Sequence, residues 1–121
     1  MEAWLKPAVE NAAGTLTCAL SSGRFGDPRT GWLIYQSDTG WNFRTYYNSG
    51  LATAVNIAVE APPVAGTWWY HVVATWNGTV GKIYVDGAAS EEGLPSDPEN
   101  PYVPPASGSF RFGARADNAF L

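Results

Sequence analysis

The segment from Gly66 to Gly87, GTWWYHVVATWNGTVGKIYVDG, limits what this chain can fold into more than any other part of it. Aromatic and β-branched residues fill the segment, Asn77-Gly78 interrupts it and Asp86-Gly87 closes it. Those side chains suit a pleated, half-buried surface better than a helix. Asn-Gly readily supplies the two positive φ values of a type I′ turn. The spacing therefore predicts strands over His71–Trp76 and Lys82–Val85, paired across Asn77-Gly78, and an antiparallel β architecture.

The rest of the chain agrees. Strand signals recur about every ten residues, and no stretch of about a dozen residues holds the apolar period of a helix. Strands are expected over Glu2–Lys6, which Pro7 stops, and over Thr15–Leu20. A Gly/Pro/Arg loop then leads to Trp32–Gln36, which Ser37-Asp38-Thr39-Gly40 joins to Trp41–Tyr47 as a hairpin. Ala52–Glu60 alternates, with Val55, Ile57 and Val59 on one face and Asn56, Ala58 and Glu60 on the other. From Gly93 to Gly108 five prolines exclude a central strand and leave a long surface loop. Phe110–Ala114 is the last expected strand. Short antiparallel strands patterned on both faces predict an all-β, two-sheet antiparallel β-sandwich. Residues 1–121 form one domain in this reading, with Trp4, Trp69 and Trp76 in its core.

Composition narrows the function classes. Charged residues are 15 % of the chain and aromatics 14 %, the opposite of a disordered composition. The net charge is −4 and the seven Lys and Arg are scattered, which argues against nucleic acid as a partner. No apolar run approaches the roughly 20 residues that cross a bilayer. Cys18 stands alone, so it forms no internal disulfide and excludes a Cys-rich metal site. A buried, inert thiol is its expected state.

Taken together, these segments resemble a known family. GTWWYHVVATWNG followed by GKIYVDG resembles the W-x-H-V-A-x-T-x-D-G … L-Y-V-D-G signature of laminin-G-like domains, in the concanavalin A-like superfamily. EAWLKP resembles the family's E-A-W-V-K-P strand, and FRFGARADNAF its late R-I-G-A-R strand. The resemblance implies a jelly roll, an extracellular or cell-surface location, and a fragment of a larger protein. It also implies a family strand before EAWLKP and another after the late loop, both of which are expected to be missing from this sequence. Unpaired edges there would invite strand addition and homo-oligomers.

Chemistry-bearing residues are few. Glycoside hydrolases on this type of sandwich place carboxylates at i, i+2 and i+4 of one strand, flanking the scissile bond. No strand here carries that pattern, and no G-x-S-x-G elbow accompanies His71, the one histidine. The expectation is a non-enzyme that requires no cofactor. Calcium remains a candidate ion, as some laminin-G-like and pentraxin-like relatives hold it at the sandwich rim. Asp86, Glu92, Asp97 and Glu99 are the candidate ligands, with Glu91 beside them. Asp27 and Asp38 are weaker candidates. Asn77-Gly78-Thr79 spells a glycosylation sequon, which a tight turn explains better.

A binding surface is the remaining function. Alternation through WNFRTYY groups Asn42, Arg44 and Tyr46 on one face, polar and aromatic together. Trp32 and Gln36 from the paired strand and Tyr102 in the long loop complete the candidate ligand site. The expected partner is a glycan or an extracellular protein. A structural spacer that associates through sheet edges is the alternative, and a hydrolase a more distant one.

Overall fold

The computed structural model describes residues 1–23, 29–47, 53–60, 64–95, 102 and 110–113. Nine strands run through them: β1 (Glu2–Leu5), β2 (Thr17–Ser22), β3 (Trp32–Gln36), β4 (Trp41–Tyr46), β5 (Thr53–Val59), β6 (Tyr70–Trp76), β7 (Gly81–Val85), β8 (Ala88–Ala89) and β9 (Phe110–Phe112). They form a four-stranded sheet, β1-β6-β7-β8, and a five-stranded sheet, β5-β4-β3-β2-β9. All described pairings are antiparallel. The all-β, two-sheet β-sandwich expected from the sequence is the observed fold. The two-residue β8 was not anticipated, and Ala114 lies outside the described residues.

Alternation along each strand builds the core. Val72, Ala74, Ile83 and Val85 of the four-stranded sheet meet Leu20, Ile34, Trp41 and Phe43 of the five-stranded one. The second face of the five-stranded sheet is also packed, by Cys18, Leu33, Tyr35 and Tyr46. Cys18 is buried as expected. Ala19 forms a bulge between the Cys18–Tyr35 and Leu20–Ile34 pairs, so Cys18 and Leu20 face opposite sides. Gly93 bridges Gly81, and a Cβ there would come within 2.6 Å of Val55 Cγ1 and against Ile57.

Two expectations are corrected. The type I′ turn is at Asp86-Gly87, where φ is 49° and 87° and Val85 pairs directly with Ala88. Across Asn77-Gly78 the pairing ends at Trp76–Gly81, leaving a longer loop in which Asn77 Oδ1 accepts from the Thr79 and Val80 N–H groups at 2.9 and 2.7 Å. Asn77 has no positive φ, because its side chain and not its backbone makes the turn. Trp4 and Trp69, expected in the core, are 63 % and 59 % exposed. Alternation places Trp4 with Glu2 and Lys6, on the outer side of β1, whereas Ala3 and Leu5 pack inward.

Candidate functional site

The predicted ligand residues separate into three places: Asn42, Arg44 and Tyr46 on one sheet face, Gln36 at one end of the other face, and Trp32 with Tyr102 at its opposite end. Asn42, Arg44 and Tyr46 share the outer face of the five-stranded sheet, as alternation requires. Trp32 and Gln36 project from the opposite, inner face, because Trp32 pairs with Thr45 and Gln36 with Trp41. Gln36 is buried and its Nε2 donates to the Val9 carbonyl at 3.1 Å, so it anchors the segment after β1. Tyr102 packs with Tyr47, Trp32 and Trp76 at the end of the sandwich. The six residues do not form one site.

On the outer face, Arg44 is the centre of a fixed polar group. Its Nη2 donates to the Tyr35 hydroxyl at 2.8 Å and its Nε to Asn56 Oδ1 at 3.1 Å. The Tyr35 hydroxyl donates to the same Asn56 oxygen at 2.9 Å, and the Arg44 guanidinium lies 4.8 Å from the Tyr35 ring centroid. Burial raises the Tyr35 phenol above its ordinary value, while Arg44 pulls it the other way. Tyr35 therefore stays a neutral donor and acceptor at physiological pH. Arg44 and Asn56 reach solvent, and Arg44 Nη1 has no partner among the described residues.

Cross-strand register extends this face. Arg111, Ser21, Leu33, Arg44 and Asn56 form one row across β9, β2, β3, β4 and β5. Arg44 and Arg111 are three strands apart, about 14 Å at the usual strand spacing. Arg29 adds a third guanidinium, 5.6 Å from the Tyr46 ring centroid. All three described arginines thus belong to one face of an acidic chain. Asn42 is buried and donates to Ser37 Oγ at 3.0 Å, so it braces the β3–β4 turn.

The candidate calcium ligands are not gathered by the described structure. Asp86 Oδ1 accepts the His71 backbone N–H at 2.8 Å, at the end of β7. Glu92 pairs with Lys82 Nζ at 3.0 Å near the start of β7, an ion pair that raises the Lys82 pKa. Asp97, Glu99 and Asp27 lie outside the described residues. No group of three His, Cys, Asp or Glu that could hold a metal occurs among the described residues.

Two features escaped sequence reasoning. Trp4 stacks on His71 with ring centroids 4.9 Å apart, and Glu2 Oε1 meets His71 Nε2 at 2.7 Å, all on the outer face of the four-stranded sheet. The alternation Glu2, Trp4, Lys6 was the signal for this exposure. The second feature is a cavity of about 410 Å³ between the sheet ends, lined by Trp32, Phe43, Trp76 and Tyr102 among others. No local pattern reveals it, since its walls come from distant parts of the chain.

Two packed antiparallel sheets of four and five strands, with no helix among the described residues, define an all-β jelly roll. The laminin G family model described as the concanavalin A-like lectin/glucanases superfamily matches residues 1–120, and the chain belongs to that family. Members are commonly non-catalytic binding domains and are often extracellular. No curated protein and no solved structure matches the chain. Among the described residues, no helix is long and apolar enough to cross a membrane.

Proposed function

We propose that the chain is a non-catalytic binding module of an extracellular or cell-surface protein, which recognises a glycan or a protein partner through the outer face of the five-stranded sheet. The Arg44–Tyr35–Asn56 group carries this reading. Its guanidinium is held by two hydrogen bonds and a ring, yet keeps donors free toward solvent. Such a preorganised fork loses little entropy on binding and matches carboxylate or sulfate oxygens. Glycans that carry acidic groups are therefore the favoured ligands, and the recognition invokes neither a cofactor nor calcium.

A glycan array read with wild type, Arg44→Ala and Asn56→Ala tests the proposal, with Trp4→Ala as the comparator on the other sheet. Acidic glycans should bind wild type and Trp4→Ala alike, and lose about ten-fold or more with Arg44→Ala. Binding that survives Arg44→Ala but disappears with Trp4→Ala would move the site to the four-stranded sheet and overturn the assignment.

A second reading, an adhesive spacer that associates through sheet edges, is favoured by one observation. Met1 and Ala74 exchange both backbone hydrogen bonds, so in the β1–β6 register the N–H and C=O groups of Glu2 and Trp4 point away from β6, toward an edge that no described strand covers. Phe112, on the inner face of β9, is 75 % exposed beside the same opening. Unpaired strand edges of this kind are templates for another strand.

A further inference from the structure

The two outer faces of the sandwich differ in the sign of their charge. Arg29, Arg44 and Arg111 stand on the five-stranded sheet, two of them against the rings of Tyr46 and Tyr35. The exposed carboxylates of Glu2, Asp86, Glu91 and Glu92 belong to the four-stranded sheet and to the segments that leave β7 and β8. Lys82 is paired with Glu92 at 3.0 Å. Lys6 is four residues along from Glu2, and Glu60 four residues along from Asn56, about 13 Å in each case at the usual strand rise. That exceeds a Debye length at physiological salt, so neither cancels the charge of the Glu2 carboxylate or the Arg44 guanidinium.

Trp4 gives the acidic face its recognition element. One side of its indole stacks on His71, with centroids 4.9 Å apart and planes at 29°, and Glu2 Oε1 holds that imidazole at 2.7 Å from Nε2. The other side faces away from His71 and is open, as Trp4 is 63 % exposed. Glu2 Oε2 has no partner among the described residues. An open indole face beside a carboxylate attracts a guanidinium, through cation–π attraction and a charge-assisted hydrogen bond. Arg44 is the matching group. Its Nη1 has no partner among the described residues, and its fork is already held by Tyr35 and Asn56.

Within one molecule the two groups cannot meet, because they lie on opposite outer faces of a packed sandwich. We propose that they meet between copies of this chain: the arginine face of one copy docks on the Trp4–Glu2 face of the next, with the Arg44 guanidinium over the open side of Trp4 and against the Glu2 carboxylate. The contact is head-to-tail, so each copy that uses one face leaves its other face free, and the assembly grows as an open chain. Arginine and tryptophan are among the side chains that most often anchor protein interfaces. A contact made by a few exposed groups is weak and salt-sensitive, so it acts where copies are concentrated. Strand addition differs from it, since that would use the β1 backbone and leave Arg44 untouched. The inference goes beyond the glycan reading: an acidic glycan on Arg44 would compete with the next copy, and either assignment can fail without the other.

Dilution of the wild-type protein from about 1 mM to about 10 µM, followed by NMR, tests this without any variant. The Trp4 indole N–H and Arg44 Nε–H signals should move together along one isotherm. Raising the salt from about 0.05 M to about 0.5 M should weaken the association about three-fold or more. Single-face variants then check the pairing by sedimentation. Arg44→Ala and Trp4→Ala should each self-associate about ten-fold more weakly than wild type. An equimolar mixture of the two should stop at a heterodimer, because each supplies the face the other lacks, whereas wild type continues to larger species. The proposal is overturned if dilution of wild type moves neither signal, or moves one alone, which would give that face to a different partner. It is equally overturned if dilution moves the β1 amides while Arg44 stays fixed, the outcome of strand addition. Association of Arg44→Ala as tight as wild type, or a mixture that remains monomeric where wild type associates, overturns it as well.

Discussion

The exchange of roles between the two glycine turns makes a sharp prediction, and it bears on Asp86 as a calcium candidate. Asp86 holds φ at 49°, a left-handed conformation that costs an alanine about 1 kcal/mol or more. Its carboxylate also accepts the His71 N–H at 2.8 Å, an exposed bond that contributes on the order of 1 kcal/mol. Asp86→Ala loses both and should cost about 2 kcal/mol. Asp86→Gly loses the bond but relieves the backbone, so the two effects should cancel to within about 1 kcal/mol. Asp86→Asn keeps an acceptor and tolerates the conformation, and should remain within about 0.5 kcal/mol of wild type. At the other turn the order reverses, because Asn77 has no positive φ to relieve and its side chain holds two N–H groups. Asn77→Gly should therefore cost about 1 kcal/mol. Urea unfolding followed by tryptophan fluorescence measures the series, and repeating it with calcium and with chelator separates a turn role from a metal role. The reasoning fails if Asp86→Ala and Asp86→Gly unfold together, or if Asn77→Gly is neutral. A calcium-dependent stabilisation lost in Asp86→Asn would restore Asp86 as a metal ligand.

Two further outcomes are expected. Burial pushes the Tyr102 phenol up to about 12, against about 10 in an unfolded chain. The unfolded chain therefore loses its proton first, so this contribution to stability is fully present below about pH 10 and is lost as pH rises through about 12. The loss is at most about 2–3 kcal/mol. Tyr102→Phe should flatten that part of the curve in denaturant titrations from about pH 9 to 11, and parallel curves for the two proteins would refute it. The edge of β1, which no described strand covers, predicts concentration-dependent self-association in light scattering, weakened by Trp4→Lys, because an edge lysine opposes strand addition. A monomer at every concentration would remove support for the spacer reading.

The sandwich was legible because alternation survives in most strands. Val55, Ile57 and Val59 point inward and Asn56 and Ala58 outward, as their spacing requires. The grouping of Asn42, Arg44 and Tyr46 was legible for the same reason, since the irregularity between Thr45 and Tyr46 skips a residue of β5 and leaves β4 in step. Tyr35 and Asn56 complete the arginine group through cross-strand register, which a single strand's pattern does not contain. Asn-Gly and Asp-Gly are equally good turn dipeptides; only the pairing of Val85 with Ala88, against Trp76 with Gly81, decides which is the two-residue turn.

The aromatics were the hardest to place, and the reason is physical. A tryptophan in a strand reads as core by composition, yet its side is set by its neighbours at i±2. Trp4 follows Glu2 outward and stacks on His71, whereas Trp76 follows Val72 and Ala74 inward and ends at the cavity. Trp32, chosen from the sequence as a sugar platform, points inward with Ile34 and meets Tyr102 there. Composition therefore suggested one mixed polar and aromatic site where the two sheet faces hold separate chemistries. The outer face holds an exposed, charge-bearing fork, suited to oxygen-rich ligands, and the inner faces hold the aromatic side chains. A ligand that engaged both would have to span the five-stranded sheet from one face to the other, which a packed sheet prevents. A ligand of the proposed arginine face therefore meets only the outer side chains of that sheet, and substitutions of Trp32 or Trp76 on the inner faces should leave its binding unchanged.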